Sequence, residues 1–427
     1  MKNQALFIKK IRLKTLVLLL FSSVFIVFSQ TNNPILTSAT PDAAFILGNP
    51  DYKAISYGGY RSNSRDVQPT VEEIVQDLKI LAALGYRLIR TYNVHFPFAE
   101  NILKAIGNLK NQDPDFEMYM MLGVWINCKG AWTARPNHEE EDLESNTEEI
   151  KKAIALVQKY PEIVKVISVG NEARVHWAQS YFVPTKVILK WVNFLQDLKM
   201  SHQIPPSLWI TSSDDYASWG GGDVSYHEPE LEKLVEAVDF ISIHTYPFHN
   251  THYNPDFWNL KKESVTKYNK KQLIDSAMYR ARDFAINQYL KVKNYVNGLG
   301  LNKPIHIGET GWATNSSDLY GNTGTAAADE YKQALYYKLM NDWSNKNNTT
   351  VVFFEAFDEV WKNAEDPLHS ENHFGLFTLK GNAKFALWDA IDNQKLKNLT
   401  REKKTIQKTF GGDDALLWTN TLIPPKQ

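Results

Sequence analysis

The chain has 427 residues, of which 43% are hydrophobic and 22% charged, and its formal net charge is −1. These values describe a soluble globular protein with a large core, and a near-neutral balance leaves no electrostatic footprint for a nucleic-acid partner. A single cysteine, Cys128, excludes an internal disulfide framework and reads as a small buried apolar residue.

Residues 1–30 have the pattern of a secretory signal. Lys2, Lys9, Lys10, Arg12 and Lys14 make a basic start, and residues 16–28 are apolar apart from Ser22 and Ser23. That run is shorter than the ~20 residues a spanning helix needs, so no stable membrane anchor is expected. The expected location is secreted or periplasmic, and an exported chain without cysteine pairs suits a bacterial setting. Residues 31–50 read as a linker, residues 51–394 as a catalytic domain, and residues 395–427 as a polar tail that packs on the domain or frays.

From residue 54 onward strands and helices alternate. After a first strand at 54–58, Thr70-Val-Glu-Glu73 forms a capping box. Ile74, Leu78 and Leu81 then share one helical face, Gly85 ends the helix, and a strand follows at 87–92. A third strand is predicted at 117–124. Ser145-Asn-Thr-Glu148 predicts the start of a helix that carries Ile150, Ile154 and Val157 and stops at Pro161, ahead of a strand at 164–170. Strands at 208–213 and 238–245 come next. The stretch 247–300 is longer than a loop and helix require, and has a helical pattern from Leu273 to Val296. A strand at 304–308, a helix from Ala326 to Trp343 and a strand at 350–357 complete the series.

Most of these strands are short, continuous and apolar, as parallel strands covered on both faces are. Eight strand–helix units predict an α/β fold of the (β/α)8 TIM-barrel type. The rival is an open doubly wound sheet binding a nucleotide. It needs a glycine-rich phosphate turn, and Tyr57-Gly-Gly-Tyr60 lacks the spacing.

Active residues of such a barrel sit at the C-terminal ends of its strands. The fourth strand ends in Asn171-Glu172 and the seventh in Glu309-Thr-Gly-Trp312, three steps away around a ring of eight. Two carboxylates facing across a cleft suit cleavage of a glycosidic bond. One donates a proton to the leaving oxygen while the other, ionised, attacks the anomeric carbon. A separation of ~5–5.5 Å makes the reaction retaining, and an ionised Glu309 raises the proton affinity of Glu172. The Asn171 amide is placed to hydrogen-bond the sugar 2-hydroxyl.

Val169-Gly-Asn-Glu172 and Ile307-Gly-Glu-Thr-Gly-Trp312 resemble glycoside hydrolase family 17, the β-1,3-glucanases and related glucanosyltransferases. So do Ile55-Ser-Tyr-Gly-Gly-Tyr60, Ile89-Arg-Thr-Tyr-Asn93, Asp239-Phe-Ile-Ser-Ile-His-Thr-Tyr-Pro247, Phe353-Phe-Glu-Ala-Phe-Asp-Glu-Val-Trp-Lys362 and Phe374-Gly-Leu-Phe377. The resemblance covers roughly residues 54–390. It implies Glu172 as acid/base, Glu309 as nucleophile, Glu359 and Lys362 as supporting groups, Glu371 as a further acidic position and Tyr246 as a neighbour of the nucleophile. The chain departs from the family pattern at His373-Phe374, where a tryptophan is common before Gly-Leu-Phe.

Trp125, Trp132, Trp177, Trp219, Trp312 and Trp361 all fall at or after strand ends, and at least two are expected to line a sugar groove, Trp312 and Trp361 first. Tyr57, Tyr92 and Asn93 are expected on its floor. His244 reads as a wall histidine, and His249 and His252 lack metal-ligand spacing, so neither metal nor cofactor is expected. Asp214-Asp215 reads at least as well as an Asx turn as it does as a site. The expected function is retaining hydrolysis of β-1,3-glucans of laminarin type by a monomer. A glucanosyltransferase using the same two glutamates is the alternative. A non-catalytic glucan-binding protein would need one of the two carboxylates replaced, and both are present.

Overall fold

The computed structural model describes residues 40–427, so the signal segment and most of the linker read from the sequence lie outside the described residues. Eight parallel strands close into a barrel: β1 (Lys53–Ser56), β2 (Tyr86–Arg90), β3 (Tyr119–Val124), β4 (Val164–Asn171), β5 (Trp209–Asp215), β6 (Ile241–His244), β7 (Ile305–Gly311) and β8 (Val351–Phe354). Each strand pairs with its neighbours in sequence, and β1 pairs with β8 to close the ring. Helices follow the strands in turn: α1 (Val71–Ala83), α2 (Phe98–Gln112), α3 (Leu143–Lys159), α4 (Thr185–Met200), α5 (Pro229–Ala237), α6 (Lys270–Gly298), α7 (Glu330–Asn347) and the short α8 (Trp388–Asp392). This is the (β/α)8 barrel that the strand–helix alternation predicts.

Side chains alternate across each strand, so the barrel sorts them into two layers. Ile55, Ile89, Met120, Leu122, Ile167, Ile210, Ile243 and Ile307 belong to the large core shared with the helices. Ala54, Leu88, Tyr119, Met121, Val166 and Val352 form a separate inner cluster. A one-turn helix, Ala43–Ile46, packs against that inner cluster at the end where the strands begin. The opposite end, where the strands finish, is left for polar side chains.

The capping box before α1 is complete in both directions, and Gly85 takes the left-handed φ of 89° that ends the helix. Two predicted starts shift. Helix α3 begins at Leu143, not Ser145, because the Asp142 carboxylate accepts the Ser145 backbone N–H and caps it. Helix α7 begins at Glu330, not Ala326, because Asp329 caps it. Strand β7 runs to Gly311, past the predicted 308, because Thr310 and Gly311 still pair with Phe353 and Phe354. Glu309 is therefore inside the ladder and held by it.

The stretch after β6 forms two short helices, Pro247–Tyr253 and Lys262–Lys267, before α6. The loop after β3 carries a small antiparallel hairpin, Cys128–Lys129 against Asn137–Glu141. The C-terminal segment packs on the barrel. Arg401 is fully buried against Asp77 of α1, and Leu260 forms a bridge with Lys426. Among the described residues no helix is long and apolar enough to cross a membrane.

Candidate active site

Glycine places the first carboxylate. Gly170 has φ of 78°, and a Cβ there would come 2.9 Å from Ala173 Cβ and 3.0 Å from Ile188 Cδ1. The next turn puts Glu172 itself at φ of 49°, an uncommon conformation for a residue with a side chain, and its N–H is pinned to the Ser213 carbonyl at 3.0 Å. The strained corner swings Asn171 and Glu172 out over the barrel mouth.

Glu309 approaches from β7, in register with His244 of β6. One carboxylate oxygen of Glu172, one of Glu309 and a ring nitrogen of His244 all lie within 4.8 Å of one another. Three donors converge on Glu309. Arg90 pairs with Oε2, the Tyr92 hydroxyl donates to Oε2 at 3.0 Å, and the Tyr246 hydroxyl donates to Oε1 at 2.5 Å. Glu172 has a different neighbourhood: His244 Nδ1 stands 2.9 Å from its Oε1.

These surroundings separate the two acids. Burial opposes the Glu309 anion, but the charge His244 takes up in acid, the Arg90 guanidinium and the Tyr246 hydroxyl outweigh it and bring its pKa down to about 2. Glu172 moves well above the ordinary carboxyl range, through burial first and the charge of Glu309 second. One acid is held ionised and its partner is held protonated. Burial also lowers His244 to about 4, so its ring is neutral near neutral pH.

Arg90 organises the group. It is 1% exposed, and besides Glu309 it reaches the Gly308 carbonyl at 3.0 Å and Asn171 Oδ1 at 2.6 Å. A guanidinium only donates, so Asn171 must turn its oxygen to Arg90 and its NH2 to the cleft. The same logic fixes His244. Arg90 Nη2 lies 3.3 Å from Nε2, which makes that nitrogen the acceptor and leaves the proton on Nδ1, facing Glu172. A metal bound to the Glu172–His244–Glu309 donors would sit against the Arg90 cation, so these atoms are better suited to hydrogen bonding.

A cleft extends to either side of the pair. A cavity of about 970 Å³ includes Glu172, Trp177, Asp215, Tyr246, Tyr253 and Glu371 in its lining. A second, of about 510 Å³, includes Asn171, Tyr92, Asn93, Trp125, Trp361 and Lys362. Glu309 and Phe354 line both. In the second arm Lys362 donates to Glu355 Oε1 at 2.5 Å, lies 3.9 Å from Glu359, and covers the Phe354 ring at 3.9 Å. Glu359 accepts the Trp361 indole N–H at 2.9 Å. Gly58 makes room for Glu359, since a Cβ at that position would come 2.2 Å from its Oε1.

Two expected binding residues lie elsewhere. Trp312 is completely buried among Phe248, Trp258 and Tyr336, with its indole N–H on the Ala327 carbonyl, so it is a core residue and no sugar platform. Tyr57 is 1% exposed and donates to Asp77 behind the strand, so it does not form the floor. Trp219 is buried as well, under Arg174. Trp361 does line the cleft, but the Arg65 guanidinium covers one of its faces at 4.3 Å. Glu371 sits on the wall of the larger arm, 3.7 Å from His249.

The motifs give Arg90 no role of its own, and His244 reads from them only as a wall residue. The available signal was polarity, since an Arg within Leu-Ile-Arg and a His within Ile-Ser-Ile-His interrupt otherwise apolar strands. Asp215 is left open by the sequence between a turn and a site role. It does accept the Ala217 N–H, but it also lines the larger arm, and burial raises its pKa to about 8.

Comparison with known proteins follows the same lines. The sequence model of the BtgE/BtgC glycoside hydrolase domain matches residues 54–375. A probable glucan endo-1,3-beta-glucosidase btgC of Aspergillus terreus is 23% identical over 313 residues, covering 69% of this chain and 38% of that protein. The chain thus spans about two-fifths of that curated relative's length. A glucan 1,3-beta-glucosidase of Arthroderma benhamiae is 25% identical over 278 residues, covering 62% of this chain and 70% of that protein. Among solved structures, an endo-laminarinase from Formosa Hel1_33_131 superposes with a TM-score of 0.89 at 54% identity, covering 91% of this chain and 98% of that one. A glycoside hydrolase family 17 beta-1,3-glucanosyltransferase from Rhizomucor miehei shares the fold, with a TM-score of 0.54 at 18% identity, covering 79% of this chain and 96% of that one.

Proposed function

The chain belongs to the BtgE/BtgC glycoside hydrolase family and is a glycosidase, and from that premise we propose that it is an exported, retaining endo-β-1,3-glucanase acting on laminarin-like glucans. One observation carries the mechanism: two carboxyl groups with oxygens within 4.8 Å, one held ionised and the other protonated. Glu309 attacks the anomeric carbon while Glu172 gives its proton to the departing glycosidic oxygen. The ionised Glu172 then takes a proton from water, which attacks the same carbon and releases Glu309. Two displacements restore the original configuration.

The roles give the cleft a direction. The leaving sugar departs on the side of the proton donor, so the arm lined by Glu172 holds the aglycone. The arm lined by Asn171 and Tyr92 holds the glycone, where the Asn171 NH2 meets the 2-hydroxyl of the sugar under attack. A cleft extending to both sides of the acids accommodates a chain bound in its middle, which supports endo cleavage. Tyr246, Tyr92, Asn93, Glu359, Lys362 and Glu371 are proposed as binding or supporting residues within these arms.

The test is NMR of the first products from a linear β-1,3-glucan. Newly formed reducing ends should appear as the β-anomer before mutarotation, in a ladder of several lengths. Initial α-anomer would refute retention. Products longer than the substrate would reassign the enzyme to glucosyl transfer.

A further inference from the structure

Trp132 is the largest apolar side chain type, yet it is 62% exposed. Its backbone is at φ of 63°, a conformation a bulky residue adopts only when its surroundings enforce it. The enforcement is visible. The Cys128–Lys129 and Asn137–Glu141 hairpin holds both ends of the turn, the Trp132 N–H donates to the Ser180 carbonyl at 2.9 Å, and Thr133 Oγ1 donates to the Gly130 carbonyl at 2.6 Å. The indole stacks on Tyr181, with centroids 4.9 Å apart and planes at 25°, and leans on Trp125 at 6.3 Å. Trp125 is itself anchored through its indole N–H to Asn127 at 2.7 Å. Tyr181 thus covers one face of the Trp132 ring, and the residue lines the smaller arm of the cleft together with Asn171 and Glu309.

A mobile surface tryptophan would need none of this. Strain, a hairpin mount and a stacked backing together describe a rigid apolar plane kept in water at the rim of a sugar cleft. We propose that Trp132 is the platform of an outer glycone subsite, stacking its ring on the C–H face of a glucosyl unit remote from the bond that is cleaved. This rests on the cleft direction given above. The subsite takes a neutral, β-linked hexose unit of a chain long enough to reach it, and it binds by apolar contact.

The test is kcat/KM for linear β-1,3-gluco-oligosaccharides of increasing length with the wild type, Trp132→Ala and Trp132→Phe. The wild-type value should climb with length. Trp132→Ala should flatten the climb, losing about tenfold between the longest and shortest substrates relative to wild type, and Trp132→Phe should keep most of it. An equal fractional loss at every length would mean a structural role, and no loss would mean the ring touches no sugar; either overturns the subsite. A wild type that cleaves none of the series sinks the proposed function instead. Fluorescence titration of wild type and Trp132→Ala with the same oligosaccharides then decides the platform separately, an unchanged affinity overturning it.

Discussion

Glu309 receives a guanidinium and two phenol hydroxyls, whereas Glu172 receives one neutral imidazole. On the roles proposed for the two acids, the acid limb of kcat/KM should follow protonation of Glu309 and the alkaline limb ionisation of Glu172. Tyr246→Phe removes a donor to the anion, so the Glu309 pKa should rise and the acid limb should move to higher pH. The expected loss is ~10–100-fold in kcat/KM at the optimum, from a hydrogen bond to a charged group worth ~1.5–3 kcal/mol. A pH profile with an unmoved acid limb would contradict this. Glu172→Gln should lower kcat on glucan by ~10²–10⁴, and by much less on an aryl glycoside whose leaving group needs no proton. Equal losses on the two substrates would remove Glu172 from the acid role. Both glutamates could be read from the sequence because each ends or interrupts an apolar strand. Tyr246 comes with the family resemblance, but two further partners that tune them, Arg90 and His244, are not assigned by the motifs. Arg90 and His244 contact the site through the barrel interior, and nothing local to Leu-Ile-Arg or Ile-Ser-Ile-His says which face of the strand looks inward.

At the scale of elements, strand order, helix order and the capping box before α1 all follow from short-range pattern, and the structure keeps them. The ends of elements do not follow, because they depend on competition between neighbours, as where Asp142 caps α3 ahead of Ser145. Tryptophans after strands have no single fate. Trp312 and Trp132 both follow strands, yet one lies in the core and the other at the rim, because tertiary packing and loop length decide between them. Strand β7 also sets a pH dependence of stability. His306 is buried in it, its Nδ1 accepts the Thr350 N–H at 3.0 Å, and burial lowers its pKa to about 4. An unfolded histidine, at ~6.5, binds its proton first, so the stability this group contributes is full above that value and is lost as pH falls towards 4. The loss is ~3 kcal/mol at most, and His244, also near 4, adds a similar dependence. His306→Gln should therefore be less sensitive than wild type to acidification between pH 6.5 and 4, as read by urea denaturation. Parallel pH slopes for the two proteins would rule the linkage out.

At the scale of the whole molecule, the C-terminal segment raises the question of where the folding unit ends, since the sequence divides a barrel over 51–394 from a tail over 395–427. The tail sends Arg401 into a buried site where it is 0% exposed. Its Nε donates to Asp77 Oδ1 at 3.0 Å, and its guanidinium lies 4.0 Å from the Phe357 ring centroid. Asp77, on α1, also takes the Tyr57 hydroxyl at 3.0 Å and Arg61 at 3.0 Å. The cluster thus ties the tail to the first helix and to the segment after β8 that leads to Glu359 and Lys362. Removing one partner of a buried, hydrogen-bonded ion pair costs ~3–5 kcal/mol when the other charge is left alone, and because Arg61 stays 3.0 Å from Asp77 the low end of that range applies here. Arg401→Ala should therefore lose that much stability in urea while unfolding in one transition, and Arg401→Lys should recover little, since an ammonium cannot reproduce the planar fork. A chain ending at residue 394 should be destabilised at least as much. If that truncated chain melts with wild-type stability, residues 395–427 are an appendage and the barrel folds without them. If it does not, the tail is part of the barrel's own core, held by Asp77 on α1 and by contacts such as Lys332 Nζ on the Leu422 carbonyl at 2.7 Å.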